Sequence, residues 1–328
     1  MPDTALDGAL TSWTEILLVG LIGLDRLDDL VDGGRVTFRA VVVDHGGEVR
    51  NPRRGFDPSR RSGTGTLTSM NSFVAISDSG PTRTLTMSNP GRMNAVPPTG
   101  WVELGDAFVA FEESDQRSLI VTGDGGEFCA GADMNRDRPD IPSAADNAAR
   151  MRIINRAALA LHRSTKPTIA AVDGVAVGAG MNIALACDIV LATPRARFAE
   201  VFVRRGLTLD FGGTWLLPRL IGLMRARELA LTGRVVEADE ALEIGLITRI
   251  VGQGDLMQTA IDIATELADG APLAQSFIKR ALDRSSTLTF EQALAFEEQA
   301  QALLLASDDL TEGAAAFVEK REPRFKGC

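Results

Sequence analysis

The chain has no tyrosine, and among its 328 residues there are only two histidines and three cysteines. These shortages exclude several chemistries. A serine–histidine–acid triad would have to recruit His45 or His162, and no Gly-x-Ser-x-Gly elbow accompanies either one. His162 closes an alanine-rich helical run and reads as a helix-surface or packing residue. Cys129, Cys187 and Cys328 are too few and too scattered for a disulfide framework or a zinc site, and they suit a reducing compartment. Positive charge is also short. With 34 basic side chains against 44 acidic ones the net charge is −10, which argues against a nucleic-acid-binding surface. The one dense basic run (Arg50, Arg53, Arg54, Arg60 and Arg61) lies among Gly, Pro, Ser and Asp and reads as a solvated arm. The longest apolar stretch near the start, residues 16–24, is about half the length that spans a bilayer. It has neither a basic lead nor a clean small-residue cleavage site. A cytoplasmic protein with no membrane segment is expected. Proton transfer is left to a carboxylate, a thiol or a lysine.

What is present suits a folded enzyme. Hydrophobic residues at 45% and charged residues at 24% permit a sizeable core. The length fits one large or two modest domains. Residues 1–45 hold short apolar pieces and residues 46–69 are rich in Gly, Arg, Pro and Ser, so 1–69 reads as an N-terminal extension, partly disordered. Residues 70–254 read as a core domain and 255–328 as a helical C-terminal domain. Residues 73–77 and 83–88 alternate as hairpin strands do. Residues 98–113 place Trp101, Leu104, Phe108 and Phe111 on one helical face, and 147–164 form a second amphipathic helix. Residues 118–122, 168–172 and 189–192 are short buried strands. The repeated strand-turn-helix order predicts an α/β domain with largely parallel strands. Beyond Gly254 the pattern is wholly helical to Val318, with 290–304 suited to packing against a partner.

Two glycine-containing turns follow two of the buried strands, at residues 126–134 and 173–182. Small residues allow close approach to backbone, and a helix start leaves amides unpaired. Two such turns facing each other could aim two N–H groups at one oxygen, as an enolate formed from a thioester requires. Each turn taken singly could equally be a simple strand-to-helix connection. Gly178-x-Gly180 superficially resembles a dinucleotide fingerprint, but the third glycine would fall at Ile183 and the match fails. Cys129, with no histidine or basic residue beside it, reads as an inert packed thiol.

The pairing of Phe-Cys-Ala-Gly-Ala-Asp (128–133) with Gly-Val-Ala-Val-Gly-Ala-Gly-Met-Asn-Ile-Ala-Leu-Ala-Cys-Asp-Ile (174–189) resembles the enoyl-CoA hydratase/isomerase, or crotonase, superfamily. Gly-Gly-Thr-Trp-Leu-Leu-Pro-Arg-Leu-Ile-Gly (212–222), Leu-Thr-Gly-Arg-Val-Val-Glu-Ala-Asp-Glu-Ala (231–241) and Ala-Phe-Val-Glu-Lys-Arg-Glu-Pro-Arg-Phe-Lys-Gly (316–327) extend the resemblance over about residues 72–327. Through Gly-Leu-Thr-Leu-Asp (206–210) it runs nearest to the phenylacetate-pathway acyl-CoA isomerases. It implies an α/β fold, a crotonase-like spiral of ββα repeats with an α-helical C-terminal region, assembled as a homotrimer or a dimer of trimers. The implied ligand is an acyl-CoA thioester, with coenzyme A as part of the substrate and no separate cofactor. Carried over by position, the oxyanion hole is the backbone N–H of Ala132 and of Ala179. The segments Arg92–Ala95 and Phe128–Ala132, with Ala130 and Asp133, border the coenzyme A arm.

The resemblance breaks at the two glutamates with which such hydratases activate water: here those positions hold Asn182 and Phe202. Glu200, offset by two residues, reads as a weak substitute. Several branches without the glutamate pair instead carry an aspartate at the position of Asp210. Taken alone, Asp210 also suits a turn or helix N-cap ahead of Gly212. The resemblance favours it as the proton-transfer group, in an acyl pocket kept dry by Phe202, Phe211, Trp215 and Leu216.

Overall fold

The computed structural model describes residues 72–134 and 143–328. The expectation for residues 1–69, and part of the loop at 134–150, lie outside the described residues. The hairpin forms as antiparallel strands β1 (Val74–Ser79) and β2 (Thr82–Met87). Helix α1 (Gly100–Glu112) buries Trp101, Leu104, Phe108 and Phe111, the face its spacing predicts. Strand β3 (Ser118–Gly123) is followed by helix α2 (Ala144–His162). A capping box starts α2: Ser143 Oγ accepts from the Asp146 amide, and the Asp146 carboxylate accepts from the Ser143 amide.

A ββα unit then repeats. Strand β4 (Thr168–Val172) leads to β5 (Val175–Val177) and helix α3 (Ala179–Leu185). Strand β6 (Ile189–Ala192) leads to β7 (Arg197–Ala199), a 3-10 helix (Val201–Arg205) and helix α4 (Gly213–Ile221). Helix α5 (Leu223–Thr232), β8 (Val235–Glu237), α6 (Ala238–Glu243) and β9 (Arg249–Ile250) complete the series. The large sheet has the order β1-β2-β3-β4-β6-β9, parallel from β2 onward, and the small sheet has the order β5-β7-β8. Cys129 bridges Ala176 in parallel, so the turn after β3 joins the edge of the small sheet. Three successive coils, begun by β3, β4 and β6, therefore each give a segment to both sheets. This is the spiral of ββα repeats, with a helical C-terminal region.

Alternation along the strands divides the core. Leu119, Val121, Ala170, Val172, Val190 and Ala192 face α1, α2 and the small sheet. Ile120, Ile169, Ala171 and Leu191 point the other way and pack on Leu256, Ala260 and Ala264 of helix α7 (Leu256–Asp269). Helix α7 covers the second face of the sheet, and the described residues form one compact unit. Helices α8 (Pro272–Arg284), α9 (Phe290–Leu304) and α10 (Asp308–Glu319) follow. Among the described residues no helix is long and apolar enough to cross a membrane.

Candidate active site

The spiral brings the two glycine-containing turns together in register. The Val175 carbonyl accepts from the Cys129 amide (2.8 Å) and the Cys129 carbonyl accepts from the Val177 amide (3.0 Å). Ala132 and Ala179 each lie three residues beyond the bridged pair Cys129 and Ala176, so they are equivalent positions on adjacent coils. The packing tolerates no extra atoms. A Cβ on Gly180 would lie 2.1 Å from the Cys129 carbonyl oxygen, and one on Gly131 would lie 2.7 Å from that of Val177. That same Gly131 position is 3.5 Å from the Ala179 nitrogen, which sets the residue before Ala132 against the start of α3. Among the described residues neither the Ala132 nor the Ala179 amide donates a hydrogen bond. Ala179 is the first residue of α3 and keeps a negative φ; the left-handed turn falls on Gly178 (φ +58°), so a Cβ at 179 is accommodated.

The segment from Arg92 to Ala95 is pinned beside the first turn. The Met93 carbonyl accepts from the Ala130 amide (2.9 Å), and Val96 pairs with Ala132 through the bonds Val96 N–H to Gly131 O (2.7 Å) and Asp133 N–H to Val96 O (2.9 Å). Met93 and Asn94 both take left-handed φ values, +47° and +54°. Asn94 holds this bend: its buried amide donates to the carbonyls of Asp124 (2.8 Å) and Glu127 (2.6 Å) and accepts from the Asn89 amide (3.0 Å). Arg92 is exposed, Ala130 and Asp133 are half-buried, and Ala95 is buried. Phe128 is fully enclosed in the core.

Asp210 lies on the loop between the 3-10 helix and α4, and two elements fix that loop. Its carbonyl accepts from the Asn182 side-chain amide (3.0 Å) and from the Gly213 amide (2.9 Å). Asn182 stands three residues along α3 from Ala179, on the same helical face. The Asn182 amide packs so closely on Gly213 that a Cβ there would meet it at 2.4 Å. The Asp210 loop is thereby tied to α3 at the residue one turn beyond Ala179. It is not a helix cap: Gly212 is the N-cap of α4, with no side-chain cap bond. Instead Asp210 Oδ1 is buried and has no hydrogen-bond partner. Burial lifts its carboxyl from 3.8 to about 6.

A second carboxyl stands in the same place, against expectation. Glu200 ends the β7 segment and begins the 3-10 helix, and that change of backbone direction turns its side chain inward rather than away. It is fully buried, and neither Oε1 nor Oε2 has a hydrogen-bond partner. Burial, and secondarily the charge of Asp210, push its carboxyl up from 4.5 to about 8, with the nearby Asn182 amide offsetting part of the rise. Its two-residue offset from Phe202 marks it in the sequence only as a weak substitute. The one available signal was an acidic residue directly after two apolar ones, Phe198 and Ala199, in a buried strand.

The surrounding apolar side chains divide. Phe202 is buried against Gly178. Phe211, at φ +48°, is buried and tilts onto Trp101 with 6.0 Å between ring centroids. Trp215 is half-buried, with His162 edge-on at 5.0 Å and the Arg219 guanidinium 3.8 Å above its ring. Phe211, Gly212, Trp215, Leu216 and His162 share the wall of an open cavity of ≈ 750 Å³. Cys129 is fully buried, and burial pushes its thiol up to about 12, which leaves it inert at neutral pH.

Residues 82–328 match the family model for enoyl-CoA hydratase/isomerase. The 1,2-epoxyphenylacetyl-CoA isomerase of Escherichia coli (strain K12) is 38% identical over 247 residues, covering 74% of this chain and 94% of that protein. A short-chain-enoyl-CoA hydratase of Clostridium acetobutylicum is 34% identical over 253 residues, covering 76% and 95%. Among solved structures, the enoyl-CoA hydratase from Polaromonas sp. JS666 superposes with a TM-score of 0.73 at 33% identity, covering 77% of this chain and 99% of that one. The paired turns, the spiral that aligns them and these likenesses agree: the chain belongs to the enoyl-CoA hydratase/isomerase family.

Proposed function

We propose that this protein is an acyl-CoA isomerase that moves a double bond in an enoyl thioester by shuttling one proton through Asp210. The thioester oxygen sits between the amides of Ala132 and Ala179, where developing negative charge meets two fixed donors. Asp210 takes a proton from the carbon beside the carbonyl, the pair of amides holds the enolate, and the same carboxyl returns the proton two carbons further along. No atom is lost or gained. The segments Arg92–Ala95 and Phe128–Ala132, with Asp133, border the coenzyme A arm, and coenzyme A enters as part of the substrate. Phe202, Phe211 and Trp215 keep the acyl end dry, which supports a carboxyl lifted into the working range of a general base. Asn182 holds the aspartate loop. The resemblance to trimeric enzymes supports a homotrimer, in which the exposed apolar residues of the C-terminal helices would be covered.

The observation that carries this reading is the unpartnered, buried oxygen of Asp210 on a loop bonded to the helix that Ala179 begins. Asp210→Asn should lower turnover by about 10²–10⁴ while thioester affinity is kept. Unchanged turnover would remove the proposed base. Hydration is the second reading, because Glu200 supplies another carboxyl and hydratases stand among the relatives. A panel of 2-enoyl and 3-enoyl thioesters separates the two. An isomerase converts the 3-enoyl substrate to the conjugated thioester with no 3-hydroxyacyl product, and a hydratase forms that product.

A further inference from the structure

Four buried side-chain atoms beside Asp210 lack hydrogen-bond partners: Asn182 Oδ1, both oxygens of Glu200 and Asp210 Oδ1. All four are acceptors when the carboxyls are ionised, and the Asn182 amide spends one of its two N–H groups on the Asp210 carbonyl at 3.0 Å, leaving a single N–H beside Glu200. Two anions and a carbonyl oxygen sharing one remaining N–H is a costly arrangement in a buried site. One proton on one carboxyl converts an acceptor into an O–H donor and removes a charge. Glu200 is fully buried, whereas Asp210 is only partly so, and the proton is held best where solvation is poorest.

We propose that Glu200 is a proton-bearing positioning residue, whose neutral carboxyl donates a hydrogen bond into the Asn182–Asp210 cluster and leaves Asp210 the only anion in the site. This rests on Asp210 being the base. Glu200 itself does not meet substrate. It sets the charge and the orientation of the group that does. The ionisation behaviour agrees, since Glu200 is pushed up to about 8 while Asp210 rises only to about 6, so the pair keeps one proton through neutral pH. The elements packed around Glu200 bring few other charges. Helix α3 offers only Asn182, and the 207–212 loop offers Asp210. On the 3-10 helix Arg204 and Arg205 are exposed, Arg204 Nε donating to the Thr232 carbonyl (3.2 Å). In the turn that meets the Glu200 carbonyl, Arg234 is held by Glu228 and Glu240. None of these arginines supplies the missing donor.

The test compares pH profiles of kcat for the full-length enzyme and two variants on its converted enoyl thioester. Wild type should lose activity above about pH 8 as Glu200 gives up its proton. Glu200→Gln keeps a neutral donor of the same shape. It should hold kcat within about threefold of wild type at pH 7 and abolish the alkaline fall. Glu200→Leu, with no donor, should lose about tenfold or more in kcat at all pH values, with KM little changed. A Gln variant that retains the wild-type alkaline limb overturns the proposal, as does one disabled as severely as Asp210→Asn. Infrared difference spectroscopy on the unmodified enzyme supplies a readout independent of turnover and of variant folding. A protonated-carboxyl band present at pH 7 and titrating away near pH 8 is expected, and its absence overturns the assignment. If Asp210→Asn retains turnover, the base assignment falls by itself, and the infrared band still decides the state of Glu200.

Discussion

At the scale of the residue, the site is governed by what burial does to a carboxyl. Water stabilises the charged form, so removing water favours the proton. The sign of the resulting stability change follows from Glu200 holding its proton up to about pH 8 in the folded chain, against 4.5 for an ordinary glutamate. Between those values the folded state keeps a proton that the unfolded state has released. Stability is therefore full below about pH 4.5 and declines as pH rises through 8, each unit of the window costing about 1.4 kcal/mol at most. Asp210 adds a smaller loss that ends near pH 6. Denaturant unfolding should show wild type losing on the order of a few kcal/mol between pH 5 and pH 8, with Glu200→Gln losing clearly less. Superimposable trends for the two proteins would count against a buried ionising group at this position. The two turns that pair at Cys129 and Ala176, and the Asp210 loop that Asn182 holds, were legible in the sequence because they sit in motifs with fixed neighbours. Glu200 was not, because its direction depends on the 3-10 helix that starts there, and no periodicity announces so short an element.

At the scale of the element, the two turns work because glycine stands where chains nearly touch. Gly180 lies in helical backbone that any residue could adopt, so its requirement is one of space alone: a methyl group would fall 2.1 Å from a carbonyl oxygen. Gly180→Ala must push α3 away from the Cys129 strand, at a cost of about 1–3 kcal/mol or more. Because Ala179 moves with the helix, kcat should fall by a larger factor than stability alone explains, measurable by comparing turnover and thermal unfolding of the same preparation. The long elements were readable. The face of α1 carried Trp101, Leu104, Phe108 and Phe111 at helical spacing, and the strand at 168–172 was found to the residue. The small sheet was not anticipated, since β5, β7 and β8 have three residues each and gain their definition only from pairing with one another.

At the scale of the whole molecule, the C-terminal helices leave much apolar surface uncovered: Leu282 is 67% exposed, Phe290 74%, Phe317 86% and Val318 79%. Scattered exposed apolar residues are ordinary, but a concentration of large ones marks surfaces that associate. Sedimentation equilibrium should give the mass of a trimer or hexamer, and Phe317→Glu should shift the distribution toward the single chain. A concentration-independent monomer would contradict the trimeric assembly. The spiral has one more implication, concerning how such a scaffold can diversify. The two amides are aligned by strand pairing on each side of them, while the long connections between coils take no part in that alignment. A single residue gained between Cys129 and Ala132 would shift one amide and leave its counterpart behind. Length is therefore constrained in the three residues that follow the bridged pair on each coil.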